Sequence, residues 1–466
     1  MAHRQRSGSR RDAHQGPAPL PDGFLERLTD LDPEHRDMLR TALRTEPPVS
    51  IRLNPRKPFN PQAEAVPWCA NGRYLEQRPS FTLDPLLHAG AYYVQEASSM
   101  LLEQALRATG CIGADLIALD LCAAPGGKST HLLDLLGTGS LLVANEVDGA
   151  RRRALQENLW KWGAVNVLVA GSPPQRFAAL EGLFDLILVD APCSGQGMFR
   201  KDADARRQWS ARLVERCAAV QAALLPHAWQ ALSPGGHLIY STCTWEAAEN
   251  EAQVARLVDM GGTCLELPID PAWGAERRAL GGIIGYRCYP HRMRGEGFFI
   301  AVVRKPGAQE REPRPLAHAP GLSLPWVEQR RPLHLHRCGD LAIAAPSTWR
   351  GAIARIAEQV RLEHAGIPMA LRKGDGWLPH PAAALSEALD GTAMPRVELD
   401  ARDAMRYLRG EHLLAQDAEG AALATHRGLG LGWLQGAGKR WNNRWPAPWR
   451  IRIAHSKAPA VPWSLP

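Results

Sequence analysis

Leu116-Ile-Ala-Leu-Asp120-Leu-Cys-Ala-Ala-Pro-Gly-Gly-Lys-Ser129 is a short apolar run that ends on an acid, passes through small residues and two glycines, and opens into a helical pattern. The spacing predicts a buried strand, a tight turn and a helix amino terminus. Small residues with Gly126 and Gly127 let a ligand come close to the backbone, and the helix amino terminus favours a carboxylate or phosphate. Glu146 stands 20 residues beyond Gly126, at the end of the next apolar run. An acid at that place commonly accepts both hydroxyls of a ribose, so the ligand is expected to contain a nucleoside. The turn is not G-x-G-x-x-G, which weakens a dinucleotide. On this spacing the ligand is a dinucleotide or S-adenosylmethionine.

Outward from that turn, apolar runs at 116–121, 140–145, 166–170, 184–190 and 236–241 alternate with amphipathic stretches. Continuous apolar strands separated by helices are what a parallel sheet covered on both faces requires. The expected class is therefore α/β, with a doubly wound domain over 95–305. Ligands of such sheets sit outside the carboxyl ends of the strands, so chemistry is sought just after each one.

Two of those ends carry a cysteine: Asp190-Ala-Pro-Cys193-Ser-Gly195 and Ser241-Thr-Cys243-Thr244. Both thiols are expected to face the crevice of the glycine turn, whereas Cys69, Cys111, Cys217, Cys264, Cys288 and Cys338 read as small core side chains. Carbon 5 of a pyrimidine is a poor nucleophile. A thiolate adding to carbon 6 turns the ring into an enamine that takes a methyl group from a sulfonium. Asp190 is placed to stabilise the charge near ring nitrogen 3 if its proton affinity is raised in the crevice.

Around this domain, residues 1–20 carry Arg4, Arg6, Arg10 and Arg11 with no apolar stretch behind them and are expected to be a basic tail rather than a secretory signal. From Gly23, the residues Phe24, Leu25, Leu28, Leu31, Met38, Leu39 and Leu43 predict one amphipathic helix ended at Pro47-Pro48, followed by a strand at 49–54, in a small N-terminal unit over 21–94. Six prolines within 306–332 mark a connector. An intermediate unit is expected at 333–395. The segment 396–466 has no acid after Glu419 but gathers Arg427, Lys439, Arg440, Arg444, Arg450, Arg452 and Lys457, interleaved with Trp433, Trp441, Trp445 and Trp449. Those tryptophans are either a small core or platforms for unpaired bases.

The whole chain, 466 residues, has 55 Lys and Arg against 48 Asp and Glu. That moderate excess permits a polyanionic partner without demanding one. Nine cysteines with no CxxC pair argue against a disulfide framework and a cysteine-rich metal site, which favours a reducing, cytoplasmic compartment. No run approaches the roughly 18 apolar residues of a membrane span.

Taken together, Cys122-Ala-Ala-Pro-Gly-Gly-Lys128, Asp190-Ala-Pro-Cys-Ser-Gly195 and Ser241-Thr-Cys-Thr244 with Glu249-Asn-Glu251 resemble the NOL/NOP/Sun family of RNA cytosine-5 methyltransferases. Gly90 to Ser99, Arg200-Lys-Asp202 and Gly295 to Phe299 match as well, so the resemblance covers about 45–305. It implies a Rossmann-like class I S-adenosylmethionine-dependent methyltransferase domain with a small N-terminal α+β domain. It also implies Cys243 as nucleophile, Cys193 for product release and Asp190 as acid/base. The cofactor-binding positions it implies are Cys122, Ala123, Ala124, Pro125, Gly126, Gly127, Lys128, Glu146 and Asp190. S-adenosylhomocysteine is the product, and no metal is implied.

The end of the chain, from Arg427 to Trp449, is similar to the PUA-like RNA-binding end of the bacterial small-subunit branch, which implies 16S ribosomal RNA as partner and a monomer off the membrane. After 166–170 relatives carry an acid that helps fix the adenine, where this chain has Gly171-Ser-Pro-Pro174; Ser172 is expected to substitute with weaker affinity. Arg52, Asn54, Arg200 and Lys201 are candidate RNA contacts, and His291 is expected near the crevice with a structural hydrogen bond. The rivals are the same chemistry on transfer RNA, a non-catalytic ribosome-assembly factor, and a nicotinamide oxidoreductase.

Overall fold

The computed structural model describes residues 19–308, 322–328, 332–453 and 459–464. The basic tail expected at 1–20, save its last two residues, and most of the proline-rich connector lie outside the described residues.

Three strands, β1 (Val49–Leu53), β2 (Gly72–Leu75) and β3 (Tyr92–Val94), make an antiparallel sheet in the order β2-β1-β3. Ahead of it, the single helix expected from Gly23 is two, Phe24–Arg27 and Pro33–Ala42. Proline lacks the N–H that a continuing helix needs, so Pro33 starts a new one, and Asp32 caps it by accepting from the His35 N–H at 2.8 Å. Met38 faces solvent, while Phe24, Leu28, Leu39 and Leu43 are buried against Phe199, Trp209 and Trp245. These short helices therefore brace loops of the catalytic unit.

In that unit β4 (Ile117–Asp120), β5 (Leu141–Asn145), β6 (Val167–Ala170), β7 (Phe184–Asp190) and β8 (Leu232–Thr242) run parallel in the order β8-β7-β4-β5-β6. Both faces are covered. Leu186 and Leu188 of β7 belong to one apolar cluster, Ile187 and Val189 to the other. Burial on both sides explains the uninterrupted apolar runs. Four antiparallel strands lie beyond β8: β9 (Thr263–Cys264), β10 (Glu276–Leu280), β11 (Ile283–Cys288) and β12 (Phe298–Arg304). The chain crosses from β6 back to β7 on the far side of β4, so the switch point, where α/β sheets hold ligands, falls between the carboxyl ends of β4 and β7.

After the connector come β13 (Leu333–Cys338), β14 (Leu341–Pro346), β15 (Leu362–Ala365), β16 (Ile367–Lys373) and β17 (Gly376–Pro379). Four of them form the sheet β13-β14-β16-β17. The fifth, β15, pairs antiparallel with β6 and extends the catalytic sheet. The last sheet holds β18 (Arg396–Glu398), β19 (Leu413–Ala418), β20 (Ala421–His426), β21 (Leu429–Gly436) and β22 (Gly438–Asn443) in the order β18-β20-β21-β22-β19.

This last sheet packs on the first. Tyr407, Leu431, Leu434 and Trp445 share one core with Ile51, Leu53 and Tyr92. Trp433 and Trp445 are buried, in neighbouring clusters, and Trp441 and Trp449 pack at the edge of the one that holds Trp445. The tryptophans are therefore core rather than open platforms for bases. Arg427, Lys439, Arg440, Arg444, Arg450 and Arg452 remain exposed around them.

Two candidate RNA contacts are corrected here. Arg52 has no exposed surface. Its guanidinium pairs with Asp134, donates from Nε to Gln95 Oε1 at 2.8 Å, and lies 4.6 Å from the Trp162 ring centroid. Asn54 is equally buried and donates from Nδ2 to the carbonyls of Gly90 and Trp162 at 2.9 and 3.0 Å. Both side chains join the N-terminal sheet to the catalytic unit and cannot reach an RNA.

Candidate active site

A cavity of about 890 Å³ opens at the switch point. Its walls include Asp120 from the end of β4, the turn Cys122 to Pro125, Gly127 and Lys128, Glu146 after β5, Asp190 at the end of β7 with Cys193 beyond it, and Cys243 after β8. Gly126 lies just behind this wall in the left-handed conformation, φ 111°, that starts the helix Gly127–Leu135. A side chain would be strained there.

The two thiols meet. Cys193 Sγ lies 3.1 Å from Cys243 Sγ and also accepts from the Cys243 N–H at 3.3 Å. Their hydrogen bond divides them: it holds Cys243 below the usual cysteine range against the effect of burial, and it pushes Cys193 well above that range. The Lys128 ammonium acts on Cys243 in the same downward direction. Burial drives the Cys122 thiol up, which leaves it a neutral wall group.

Asp190 is not isolated in an apolar crevice. Lys128 Nζ sits 2.9 Å from its Oδ2, and Ser241 Oγ donates to its Oδ1 at 2.8 Å. Burial alone would lower the Lys128 ammonium, but Asp190 outweighs it and the net shift is upward. Lys128 thus faces Asp190, with its Nζ 5.1 Å from the Phe298 ring centroid. Asp120 is fully buried. It accepts from Ser129 Oγ at 2.6 Å, its Oδ1 has no partner among the described residues, and burial pushes it up to about 7. Glu146 accepts the Asp148 N–H at 2.9 Å and pairs with the half-exposed Arg151 at 3.2 Å.

This set suits S-adenosylmethionine. Three carboxylates, one with an orphaned oxygen, complement a cationic sulfonium and amine; Glu146 is placed for a ribose diol, and a helix amino terminus supplies N–H groups. Among the described residues one trio, Cys69, Glu103 and His131, gathers metal-binding side chains within 4.8 Å of one another. Glu103 is already engaged by the Ala70 N–H and Arg107, and His131 Nδ1 lacks the outer partner that a ligating imidazole has.

Other expected site residues fall elsewhere. Ser172 is buried and does not line the cavity: its N–H donates to Asn145 Oδ1 at 3.0 Å and its Oγ accepts the Arg361 N–H at 2.8 Å. It anchors the approach to β15, so the expectation that Ser172 substitutes for the adenine-site acid with weaker affinity has no support in its position; Pro174 and Gln175 line the cavity on that side. Arg200 is bound to Glu296 at 2.9 Å and to the Gly295 carbonyl at 2.6 Å, which removes it as an RNA contact. Lys201 does line the cavity. His291 borders a second cavity of about 550 Å³ and neither ring nitrogen has a hydrogen-bond partner among the described residues, contrary to the structural bond expected of it.

Several lining residues escaped the sequence reading. Arg78 comes from the N-terminal unit, where no local pattern marks it, while Gln95 and Glu96 lie in the Gly90 to Ser99 stretch, whose resemblance did not assign them to the site. Gln196, behind the lining, follows the Pro-Cys motif directly. Its Oε1 accepts from Thr244 Oγ1 and the Trp245 N–H, both at 2.9 Å, tying the two cysteine loops together. Gly197 donates from its N–H to the Cys243 carbonyl at 2.8 Å, and a Cβ there would lie 2.2 Å from the Gly297 carbonyl oxygen. Gly197→Ala is therefore expected to cost roughly 1–3 kcal/mol of stability and to displace Cys243. The check is a lowered Tm together with a fall in kcat that leaves cofactor affinity near wild type.

Sheet order, glycine turn and cavity define a Rossmann-like methyltransferase with two facing thiols. The family model described as 16S rRNA methyltransferase RsmB/F matches residues 113–304, the model for the N-terminal domain of 16S rRNA methyltransferase RsmF matches 20–97, and the methyltransferase RsmF PUA domain matches 395–451. The "Ribosomal RNA small subunit methyltransferase F" of Aeromonas hydrophila is 32% identical over 461 residues, 92% of this chain and 96% of that one. The protein of the same name from Erwinia tasmaniensis is 31% identical over 466 residues, with 92% and 96% covered. A solved methyltransferase homolog from Pyrococcus horikoshii, 30% identical, superposes with a TM-score of 0.51 over 60% of this chain and 93% of that one. The chain belongs to the RsmB/F family of methyltransferases.

Proposed function

We propose that the protein methylates carbon 5 of a cytidine in 16S ribosomal RNA, with S-adenosylmethionine as donor and a covalent Cys243 adduct as intermediate. The observation that carries this reading is the pair of thiols 3.1 Å apart in one cavity with Asp190, Asp120 and Glu146. The names of the relatives favour the small-subunit RNA, and the exposed cations around the C-terminal sheet suit a phosphate backbone.

S-adenosylmethionine, held by Asp120, the 122–128 turn and Glu146, supplies an electrophilic methyl group when bound. The chain's own residues do the rest. Cys243, the more acidic thiol, adds as thiolate to carbon 6 of the unstacked base, forming a C–S bond and moving the C5=C6 electron pair toward carbon 5. Asp190, paired with Lys128 at 2.9 Å, is the group we assign to ring nitrogen 3, where the pair would stabilise the charge that develops. After carbon 5 has been methylated its proton passes to water, the double bond re-forms, and the C–S bond breaks with its electron pair on Cys243. The Cys193 S–H then hydrogen-bonds the departing thiolate.

Free thiols this close favour the reducing cytoplasm. Among the described residues no helix is long and apolar enough to cross a membrane. The test is bisulfite sequencing of total RNA from a deletion strain complemented with wild type, Cys243→Ala or Cys193→Ala. One 16S cytidine is expected to lose its methyl group, to regain it with wild type and to stay unmethylated with Cys243→Ala. A transfer RNA cytidine behaving so would move the substrate. No change in any RNA would leave the ribosome-assembly factor as the reading.

A further inference from the structure

The loop that carries Cys193 is gripped on both sides of the thiol. Glu249 Oε2 accepts the Ser194 N–H at 2.9 Å, just after Cys193. Gln221 Nε2 donates to the Pro192 carbonyl at 2.9 Å, just before it, and to the same Glu249 oxygen at 3.1 Å. Gln221 comes from the helix Ala211–Ala231, and Glu249 from the loop that carries Cys243. Both side chains are fully buried. The Glu249 carbonyl is itself held by Tyr240 OH at 2.6 Å, and Ser194 Oγ lies 3.0 Å from Thr244 Oγ1.

Burying a carboxylate is costly, and here its second oxygen, Oε1, has no partner among the described residues. Strands β7 and β8 are already joined by their own ladder. What the carboxylate adds is the position of the backbone on either side of Cys193. A thiol–thiol hydrogen bond fails over a shift of about 1 Å, so that position decides whether Cys193 reaches Cys243.

We infer that Glu249 and Gln221 are positioning residues for product release: through Pro192 and Ser194 they hold the Cys193 S–H against Cys243 so that the thiolate can leave carbon 6. This rests on the adduct reading above. Neither side chain lines the catalytic cavity, and their hydrogen bonds to the Pro192 carbonyl and the Ser194 N–H bear on the Cys193 loop. In the step they serve, the carbon-5 proton passes to water, the C5=C6 bond re-forms and the C6–S bond breaks, with Cys193 donating its hydrogen bond to the leaving sulfur.

Small-subunit RNA purified from a deletion strain, incubated with S-adenosylmethionine and each variant, is assayed for SDS-stable protein–RNA adduct and for methylated product. Gln221→Ala and Glu249→Ala are expected to accumulate adduct about tenfold over wild type, as Cys193→Ala does. Glu249→Gln keeps an oxygen that accepts both hydrogen bonds and is expected to release product near the wild-type rate. A role in folding alone would lower adduct and product together. If Gln221→Ala binds cofactor like wild type and gains no adduct while Cys193→Ala does, the inference is overturned. If Cys193→Ala itself gains none, the release role of Cys193 falls and the clamp with it. Should Glu249→Ala not fold, the Gln221→Ala and Glu249→Gln pair decides alone.

Discussion

Cys243→Ala is expected to lower methyl transfer by a factor on the order of 10⁵ while cofactor affinity stays near wild type. The size follows from the chemistry: without a thiolate at carbon 6, carbon 5 has no enamine character, and no other cavity group can supply the bond. Cys122 lines the same cavity, but burial holds it neutral. Cys193 loses its bond to Cys243 in this variant, but burial still pushes its thiol up. The two thiols should therefore not substitute for one another. Single-turnover methylation, with cofactor binding measured alongside, checks this; residual activity within tenfold of wild type would remove Cys243 from the role.

The same geometry sets a pH dependence. The thiolate fraction of Cys243 rises with pH and levels off above its pKa, which the bond to Cys193 holds below that of an ordinary cysteine. Adduct formation should therefore reach its plateau at a lower pH than an ordinary thiol would give. In Cys193→Ala the hydrogen bond that lowers Cys243 is gone, so the plateau should move to higher pH. A plateau that does not move would mean that Lys128 or the surroundings, not Cys193, governs the thiol.

Which parts were legible in sequence follows from range. The glycine turn, Asp190, Cys193 and Cys243 sit directly after apolar runs, and strand, turn and side chain are all written within ten residues of one another. The sheet topology then brings them together without further information. Ser172 misled because the strand it touches, β15, arrives from beyond the connector, 189 residues away. The clamp on Cys193 was half visible, since Glu249 belongs to a quoted motif, but Gln221 lies on a helix face with no chemical signature. The break at Pro33 is legible in the sequence: Asp32-Pro33 is a helix start, which the apolar spacing alone does not show.

Arg52 is the plainest case of range, and it carries the second large prediction. Read locally, an arginine on a short strand is a solvated cation suited to phosphate. Its partner Asp134 is 82 residues on, in the helix that follows the glycine turn. Asp134 is wholly buried and also accepts from Arg56 Nη1 at 2.6 Å and Trp162 Nε1 at 2.9 Å. Arg52→Met would leave that carboxylate short of its closest cation and strand the Gln95 and Thr130 oxygens that now accept from the guanidinium. Removing one member of a buried pair costs about 3–5 kcal/mol. The expected result is a large drop in the denaturation midpoint, with binding of the N-terminal sheet to the catalytic unit weakened.

Arg52→Met with Asp134→Leu should recover part of that loss, because no carboxylate is then left buried short of a cation, although Arg56 and Trp162 Nε1 lose their acceptor. A phosphate contact makes the opposite forecast. It would leave the midpoint unchanged, lower the salt dependence of RNA binding by about one unit of slope, and gain nothing from a change at Asp134. Unfolding curves of the single and double variants, beside RNA titrations at two salt concentrations, separate the two. Recovery in the double variant with an unchanged salt slope assigns Arg52 to the joint between the domains. Lys201, at the cavity rim, is then the cation of the four expected RNA contacts whose removal should change the slope.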